Sequence, residues 1–368
     1  MKKRNKAILH IVLILFILNS LNISAYADDK NFISSVGYII IPDDYETIQS
    51  GINNANKGDI IFVKSGIYDE YNIIIDKKII LKGEDLNSTV IRGNGARDVL
   101  VIYADEVTVT NLTITHGGNM MESNIGIVAN NCSINGNIIN GSNDMGIALY
   151  NSVGNIIENN FITNCTSTAI RLYQENYRNI IANNTIINNN GYGITIEDSD
   201  NNIFSNNTIL SNHDGILLYD SKENTISKNK ISECLSGIYL FESVEQNIKK
   251  NIITECSKAI YIEESDENTV EKNQMTNNTA GLFISYSDGN IITKNNFVSN
   301  EDHAKFNSFF SYNKFQRNIW DENYWDTSLG IFPKLISGLI FVQTNEFDDL
   351  FLPWLNIDWY PAKEQYEI

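Results

Sequence analysis

Cysteine, proline, positive charge and long apolar runs are all scarce in this chain. Four cysteines in 368 residues, Cys132, Cys165, Cys234 and Cys256, are too few to staple a protein of this length. Its core must therefore come from apolar burial. No two of them form a Cys-x-x-Cys pair, and none sits in a Cys/His cluster, so the sequence carries no zinc signature. The only prolines are Pro42, Pro333, Pro353 and Pro361. The long interval between the first two is what uninterrupted strand ladders demand. The 27 Lys+Arg face 45 Asp+Glu, for a net charge of −18. Such a surface repels nucleic acid and anionic lipid, which makes both poor partner candidates. Past the N-terminus the longest apolar run, Leu335 to Val342, is broken by Ser337 and Gly338 and falls short of membrane length.

The first 27 residues read as a secretory signal peptide. Lys2, Lys3, Arg4 and Lys6 precede a short apolar run from Ala7 to Leu18, and Ala25-Tyr26-Ala27 offers small residues two apart for cleavage. The mature chain is expected to be extracytoplasmic, without a transmembrane segment.

What the chain has in abundance is asparagine at a fixed interval. Asn111, Asn137, Asn160, Asn184, Asn207, Asn229, Asn251, Asn273, Asn295 and Asn318 recur every 22 to 26 residues. A second series, Asn155, Asn179, Asn202, Asn224, Gln246, Asn268, Asn290 and Asn313, runs five residues ahead of the first. A serine column precedes it by three: Ser152, Ser199, Ser221, Ser243, Ser265 and Ser287, with Asn176 standing in once. Between these markers lie three short β-branched stretches per repeat, too short for helices. Three strands and three turns in about 22 residues make one triangular coil, and stacked coils make a right-handed parallel β-helix with strands ~4.8 Å apart.

This all-β solenoid supplies three interior rows. One runs from Ile157 through Ile181, Phe204, Ile226, Ile248, Val270 and Ile292 to Phe315. The second runs from Ile162 through Ile186, Ile209, Ile231, Ile253, Met275 and Phe297 to Trp320. The third comprises Leu149, Leu172, Ile196, Leu218, Leu240, Ile262 and Ile284. The Asn columns fall at the turns, where amides stack and left-handed angles are tolerated. A leucine-rich repeat shares the period but predicts Leu-dominated repeats with a helical side; here Ile dominates and no repeat has helical periodicity. The expected layout is a signal peptide (1–27), an N-terminal segment with a capping helix over 43–56 (28–59), the β-helix (60–318) and an irregular cap carrying all four tryptophans (319–368).

The opening Ile41-Pro42-Asp43-Asp44-Tyr45, with Thr47-Ile48-Gln49, Gly58-Asp59-Ile60-Ile61-Phe62-Val63 and Ser65-Gly66-Ile67-Tyr68, resembles that of pectin-lyase-like β-helix proteins. The Gly-Ile-x-Leu-x-x-Ser-x-x-Asn-x-Ile repeat is similar to NosD-type repeats of periplasmic and archaeal surface proteins. Asn323-Tyr324-Trp325-Asp326, Pro353-Trp354, Asn356-Ile357-Asp358-Trp359 and Pro361-Ala362 resemble the tail of archaeal members. The resemblance covers nearly the whole mature chain. It implies a β-helix and a role in carbohydrate binding, sugar processing or copper maturation.

The outward positions of the Gly-Ile-x-Leu strand are rich in rings. Tyr150, Tyr173, Tyr219 and Phe241 share one outward column with Glu197 and Glu263; Tyr239, Tyr261 and Phe283 share the other with Arg171, Thr195 and Leu217. Rings beside carboxylates are what a sugar-binding face needs, and a glycan lying across several coils is expected to stack on successive rings. In the next turn Asp198, Asp220, Glu242 and Glu264 form an acidic ridge, either plain solvated surface or a Ca²⁺ site. Copper needs soft ligands, and the mature chain offers only the scattered His116, His213 and His303 with Met120, Met121, Met145 and Met275; His116 with Met120 and Met121 could hold Cu(I), though such a loop is more often plain turn. Cys234 and Cys256, vertical neighbours in one column, are expected as free thiols. No lyase, hydrolase or epimerase motif is present, so no catalytic residue is assigned. The resulting reading is a monomeric, non-catalytic protein that binds a glycan or surface protein on its aromatic face. A copper-maturation factor and a polysaccharide lyase or hydrolase are the alternatives.

Overall fold

In the computed structural model, which describes residues 36–309, 317–345 and 348–368, the chain winds into parallel β-coils from Tyr38 onward. The expected signal peptide, Asn313 and Phe315 lie outside the described residues. Each coil contributes one strand to each of three sheets. The first sheet carries the long strands Met145–Tyr150, Thr168–Tyr177, Tyr192–Asp200, Asp214–Tyr219, Ser236–Phe241, Lys258–Glu263 and Ala280–Ser285. The second carries triplets such as Ile180–Ala182 and Ile203–Ser205. The third, twelve-stranded, carries triplets such as Thr185–Ile187 and Thr208–Leu210. Successive strands pair in parallel and in register, Ile186↔Ile209 and Ile209↔Ile231 among them. All of this lies in one unit, Gly37–Ile368.

The interior rows are buried as the repeat predicts: Ile157, Ile181, Phe204, Ile162, Ile186, Leu149 and Leu172 are each 0% exposed. Burial of each such aliphatic chain stabilises the fold by roughly 1.5–3 kcal/mol. Their ends differ from the predicted rows. Ile292 pairs with Trp320 and Phe297 with Trp325, so Trp320 closes the first row and Trp325 the second. The amides shift alike: Asn290 donates to Asn318 and Asn295 to Asn323, across 28 residues instead of 22. A six-residue enlargement of the last coil moved every marker into the neighbouring column. At the other end Leu112, not Asn111, stands one coil before Asn137, whose Oδ1 accepts the Leu112 N–H.

The asparagines stack as continuous ladders inside the turns. The Oδ1 of Asn207 accepts the N–H and Nδ2–H of Asn184 at 3.0 and 3.1 Å, while the Nδ2 of Asn207 donates to the Ile181 carbonyl and the Oδ1 of Asn229. Each amide thus satisfies backbone groups that the turn would otherwise bury without partners. The serine hydroxyls form a parallel ladder, Ser199 N–H to Ser221 Oγ and Ser221 N–H to Ser243 Oγ. The left-handed angles fall on the residue preceding each ladder amide, not on the amide itself: Asn183, Asn206, Lys228, Lys250 and Lys272 have φ of 53–58°.

Both ends depart from expectation. The helix, α1, spans only Ile48–Asn54 because Thr47 caps it, accepting from Ser50 N–H. Asp43, Asp44 and Glu46 precede it. The carboxylate at its N-terminus is Glu70 of the next coil, which accepts from Ile48 and Gln49 N–H. The stack itself begins at Tyr38–Ile41, which pairs with Ile60–Val63. At the C-terminus an antiparallel hairpin, Lys334–Asn345 with Asp348–Asp358, replaces the irregular cap. One arm pairs with Asp302–Phe309 of the first sheet and the other meets Trp320 of the second. The hairpin therefore joins these two sheets into one 26-stranded system and covers the open end.

Candidate functional site

The first sheet places the seven ring residues on its outer side in two in-register columns. Tyr150, Tyr173, Glu197, Tyr219, Phe241 and Glu263 follow one another, as do Arg171, Thr195, Leu217, Tyr239, Tyr261 and Phe283. They do not form the continuous platform expected of them. Tyr239 and Tyr261 stack at 4.7 Å between centroids with 11° between planes, and Tyr261 and Phe283 at 5.3 Å and 12°. Tyr219 and Phe241 stack at 5.5 Å, while Tyr150 and Tyr173 meet edge-on. Rings that cover one another's faces at the coil spacing present edges outward. Open faces are left where each stack begins, at Tyr219 and Tyr239.

There the surface dips into a cleft of about 330 Å³. Thr195 and Leu217 are the small steps between Arg171 above and Tyr239 below, and they form its floor. Arg171, Tyr192 and Glu197 make one wall; Tyr219, Tyr239 and Phe241 make the other. Arg171 is held by one nitrogen 2.7 Å from Glu197 Oε2 and by its guanidinium lying 4.6 Å over the Tyr173 ring. Tyr192 is fixed by edge contact with His213. The Tyr239 hydroxyl donates to Glu263. Thr195, 7% exposed, has a buried hydroxyl with no partner among the described residues. An unpaired buried hydroxyl costs free energy unless something docks against it. Sequence reading found the rings but not Arg171, Tyr192 or Thr195 as a unit, because the cleft arises from small residues at two positions of a column.

The phenols report the local field. Glu242 first, then burial, holds the Tyr219 hydroxyl above its ordinary range. Burial and the hydrogen bond to Glu263 do the same for Tyr239 and Tyr261. Burial, with Asp98 behind it, pushes Tyr150 up to about 12.

Asp98 was not singled out by any motif. Its carboxyl accepts the Ser123 N–H and hydroxyl, which favour the charged form, but burial first, then the side-chain hydrogen bond with Glu122, pushes Asp98 up to about 7. The unfolded acid titrates near pH 4. Folding therefore favours its protonated form, and this contribution is complete below about pH 4 and lost as pH rises to about 7. The melting temperature should fall between pH 5 and pH 8, and Asp98→Asn should flatten that decline. An unchanged slope in the variant would assign the decline to other groups.

Asp198, Asp220, Glu242 and Glu264 are exposed at left-handed turn positions with φ of 45–49°. Among the described residues no three His, Cys, Asp or Glu side chains gather as a metal site would require. His116 bonds Thr115 through Nδ1, Met120 and Met121 are exposed, and His303 lies 2.7 Å from Asp326 in the last coil. All four cysteines are buried free thiols.

Family comparison matches residues 192–330 to the periplasmic copper-binding protein (NosD) family and residues 78–222 to the right-handed β-helix region. No curated protein matches the sequence. Among solved structures, DFA-IIIase from Arthrobacter chlorophenolicus A6 without its lid is similar at 12% identity and a TM-score of 0.64, over 80% of this chain and 96% of that one. The mannuronan C-5 epimerase AlgE6 A-module of Azotobacter vinelandii follows at 12% and 0.56, over 74% and 86%. The periplasmic alginate epimerase AlgG gives 14% and 0.52, over 77% and 82%. At these identities the likeness is one of fold. No helix among the described residues is long and apolar enough to cross a membrane. With the repeat, its ladders and both family matches converging, the chain is a right-handed parallel β-helix protein whose residues 192–330 match the NosD family.

Proposed function

We propose that this protein is a non-catalytic, extracytoplasmic glycan-binding protein whose site is the Thr195 cleft. The observation that carries the reading is the pairing, across one cleft, of open ring faces at Tyr219 and Tyr239 with the polar wall of Arg171, Glu197 and Tyr192. A sugar has apolar CH faces and hydroxyl edges, so it needs both walls at once. A volume of about 330 Å³ suits one or two sugar rings rather than a chain spread over seven coils. The neighbours of like fold that are named for acting on alginate or DFA-III support a carbohydrate ligand as an analogy only.

Binding of short oligosaccharides to the full chain tests the reading. Tyr239→Ala should weaken binding by roughly tenfold or more, since a ring contact and the cleft wall are lost together. Phe283→Ala, in the same column but at the far end of its stack, should leave affinity unchanged. Equal losses in both variants would restore the extended platform and remove the cleft from the reading.

A further inference from the structure

The outer face of the first sheet already shows what its rings and carboxylates attract. The Lys258 ammonium lies 3.8 Å from the centre of the Tyr261 ring and 5.6 Å from that of Phe283, and the Arg171 guanidinium lies 4.6 Å over Tyr173. Two of the ring groups on this sheet thus hold a cation from the chain itself. The cleft between them has the same chemistry and more negative surroundings. Glu197 lines it, Glu263 takes the Tyr239 hydroxyl, and Glu242 with Asp220 raises the Tyr219 phenol. The one cation in its lining, Arg171, is committed to Glu197 and Tyr173. Beyond the cleft, the whole chain carries −18.

We infer that the cleft selects glycans bearing protonated amines, that is, de-N-acetylated amino sugars, over neutral and acidic ones. This rests on the reading of the cleft as a glycan site and adds its ligand class. An ammonium group placed against the open faces of Tyr219 and Tyr239 gains cation–π attraction and charge-assisted hydrogen bonds to the neighbouring carboxylates. A uronate in the same position would meet those carboxylates and the field of an acidic chain. An N-acetylated sugar keeps the ring contact but loses the charge.

The test titrates the full chain with three tetramers: glucosamine, N-acetylglucosamine and galacturonate. At low salt the glucosamine tetramer should bind roughly tenfold tighter than its N-acetylated counterpart, and its advantage should shrink as NaCl rises, as expected for exposed charge pairs. The galacturonate tetramer should bind weakest. Glu242→Gln, an exposed change beside Tyr219, should reduce the glucosamine preference about threefold while leaving N-acetylglucosamine binding as it was. Binding of the acetylated or acidic tetramer as tight as that of glucosamine overturns the amine preference and leaves the glycan site standing. Absence of binding by all three overturns the glycan site and the inference with it.

Discussion

Replacing Asn229 by leucine should cost about 3–6 kcal/mol, because several buried polar groups lose their partners in one step. Asn229 is 0% exposed. Its Oδ1 accepts the Asn207 N–H at 2.9 Å and the Asn207 Nδ2–H at 3.0 Å. Its Nδ2 donates to the Phe204 carbonyl at 3.0 Å and to Asn251 Oδ1 at 3.0 Å. Leucine keeps the branching at Cγ but is bulkier and brings no polar atom, so overpacking adds to the polar loss. The interior of a closed turn admits no water to replace the amide. Urea unfolding of the two proteins, compared at equal m-value, measures the difference. A cost under about 1 kcal/mol would mean that the turn relaxes to let water in and that the ladder does not hold the coils. The serine ladder offers an internal contrast. Ser221→Ala removes the acceptor of the Ser199 N–H and the donor to the Tyr219 carbonyl, half as many bonds as at Asn229, and should cost only about 1–3 kcal/mol.

Because each coil touches only its neighbours, the same repeat that makes Asn229 so costly to change also made the fold legible. Columns repeat, and anything that repeats can be read as a line of residues: from Asn137 to Phe297 the Ile rows, the Asn ladders and the serine column stand where their spacing puts them. What does not repeat was invisible. The enlargement of the last coil pushed Asn318 into the column of Asn290 and Trp320 opposite Ile292, though a 23-residue step had aligned each with the other series. The start of α1 depends on Glu70, a carboxylate from a different coil, so the acids preceding the helix in sequence were a misleading cue. The candidate site follows the same rule. Its rings were legible because they lie in columns. Their mutual stacking, which hides most ring faces, is a side-chain arrangement that spacing does not encode. The cleft was hidden for a related reason: it exists because Thr195 and Leu217 are smaller than what stands above and below them.

The second large effect is expected at Asp358, the residue that ends the Asn ladder. Its Oδ2 accepts the Asn323 N–H at 3.0 Å, the Asn323 Nδ2–H at 3.1 Å and the Trp325 indole N–H at 3.1 Å, and its Oδ1 accepts the Tyr360 N–H at 3.2 Å. The carboxylate is 0% exposed, and these four donors are what make a buried charge tolerable there. It arrives on the hairpin arm Asp348–Asp358, so a chain segment outside the repeat supplies the acceptor that the next coil would have provided. Asp358→Leu should strand the three buried donors of Oδ2, the Asn323 N–H and Nδ2–H and the Trp325 indole N–H, and cost about 3–6 kcal/mol locally. Asp358→Asn keeps one oxygen for Asn323 and should recover at least half of that loss. The location of the damage distinguishes this variant from the one at Asn229. A stack that interacts only with neighbours opens from its end, so Asp358→Leu should expose the hairpin and last coil to protease while the coils from Tyr38 to Asn278 keep their protection. Amide exchange resolved by peptide would show the boundary. Uniform loss of protection along the whole stack would mean that the hairpin stabilises every coil, and that the ladder transmits its terminal contact through the full length of the solenoid.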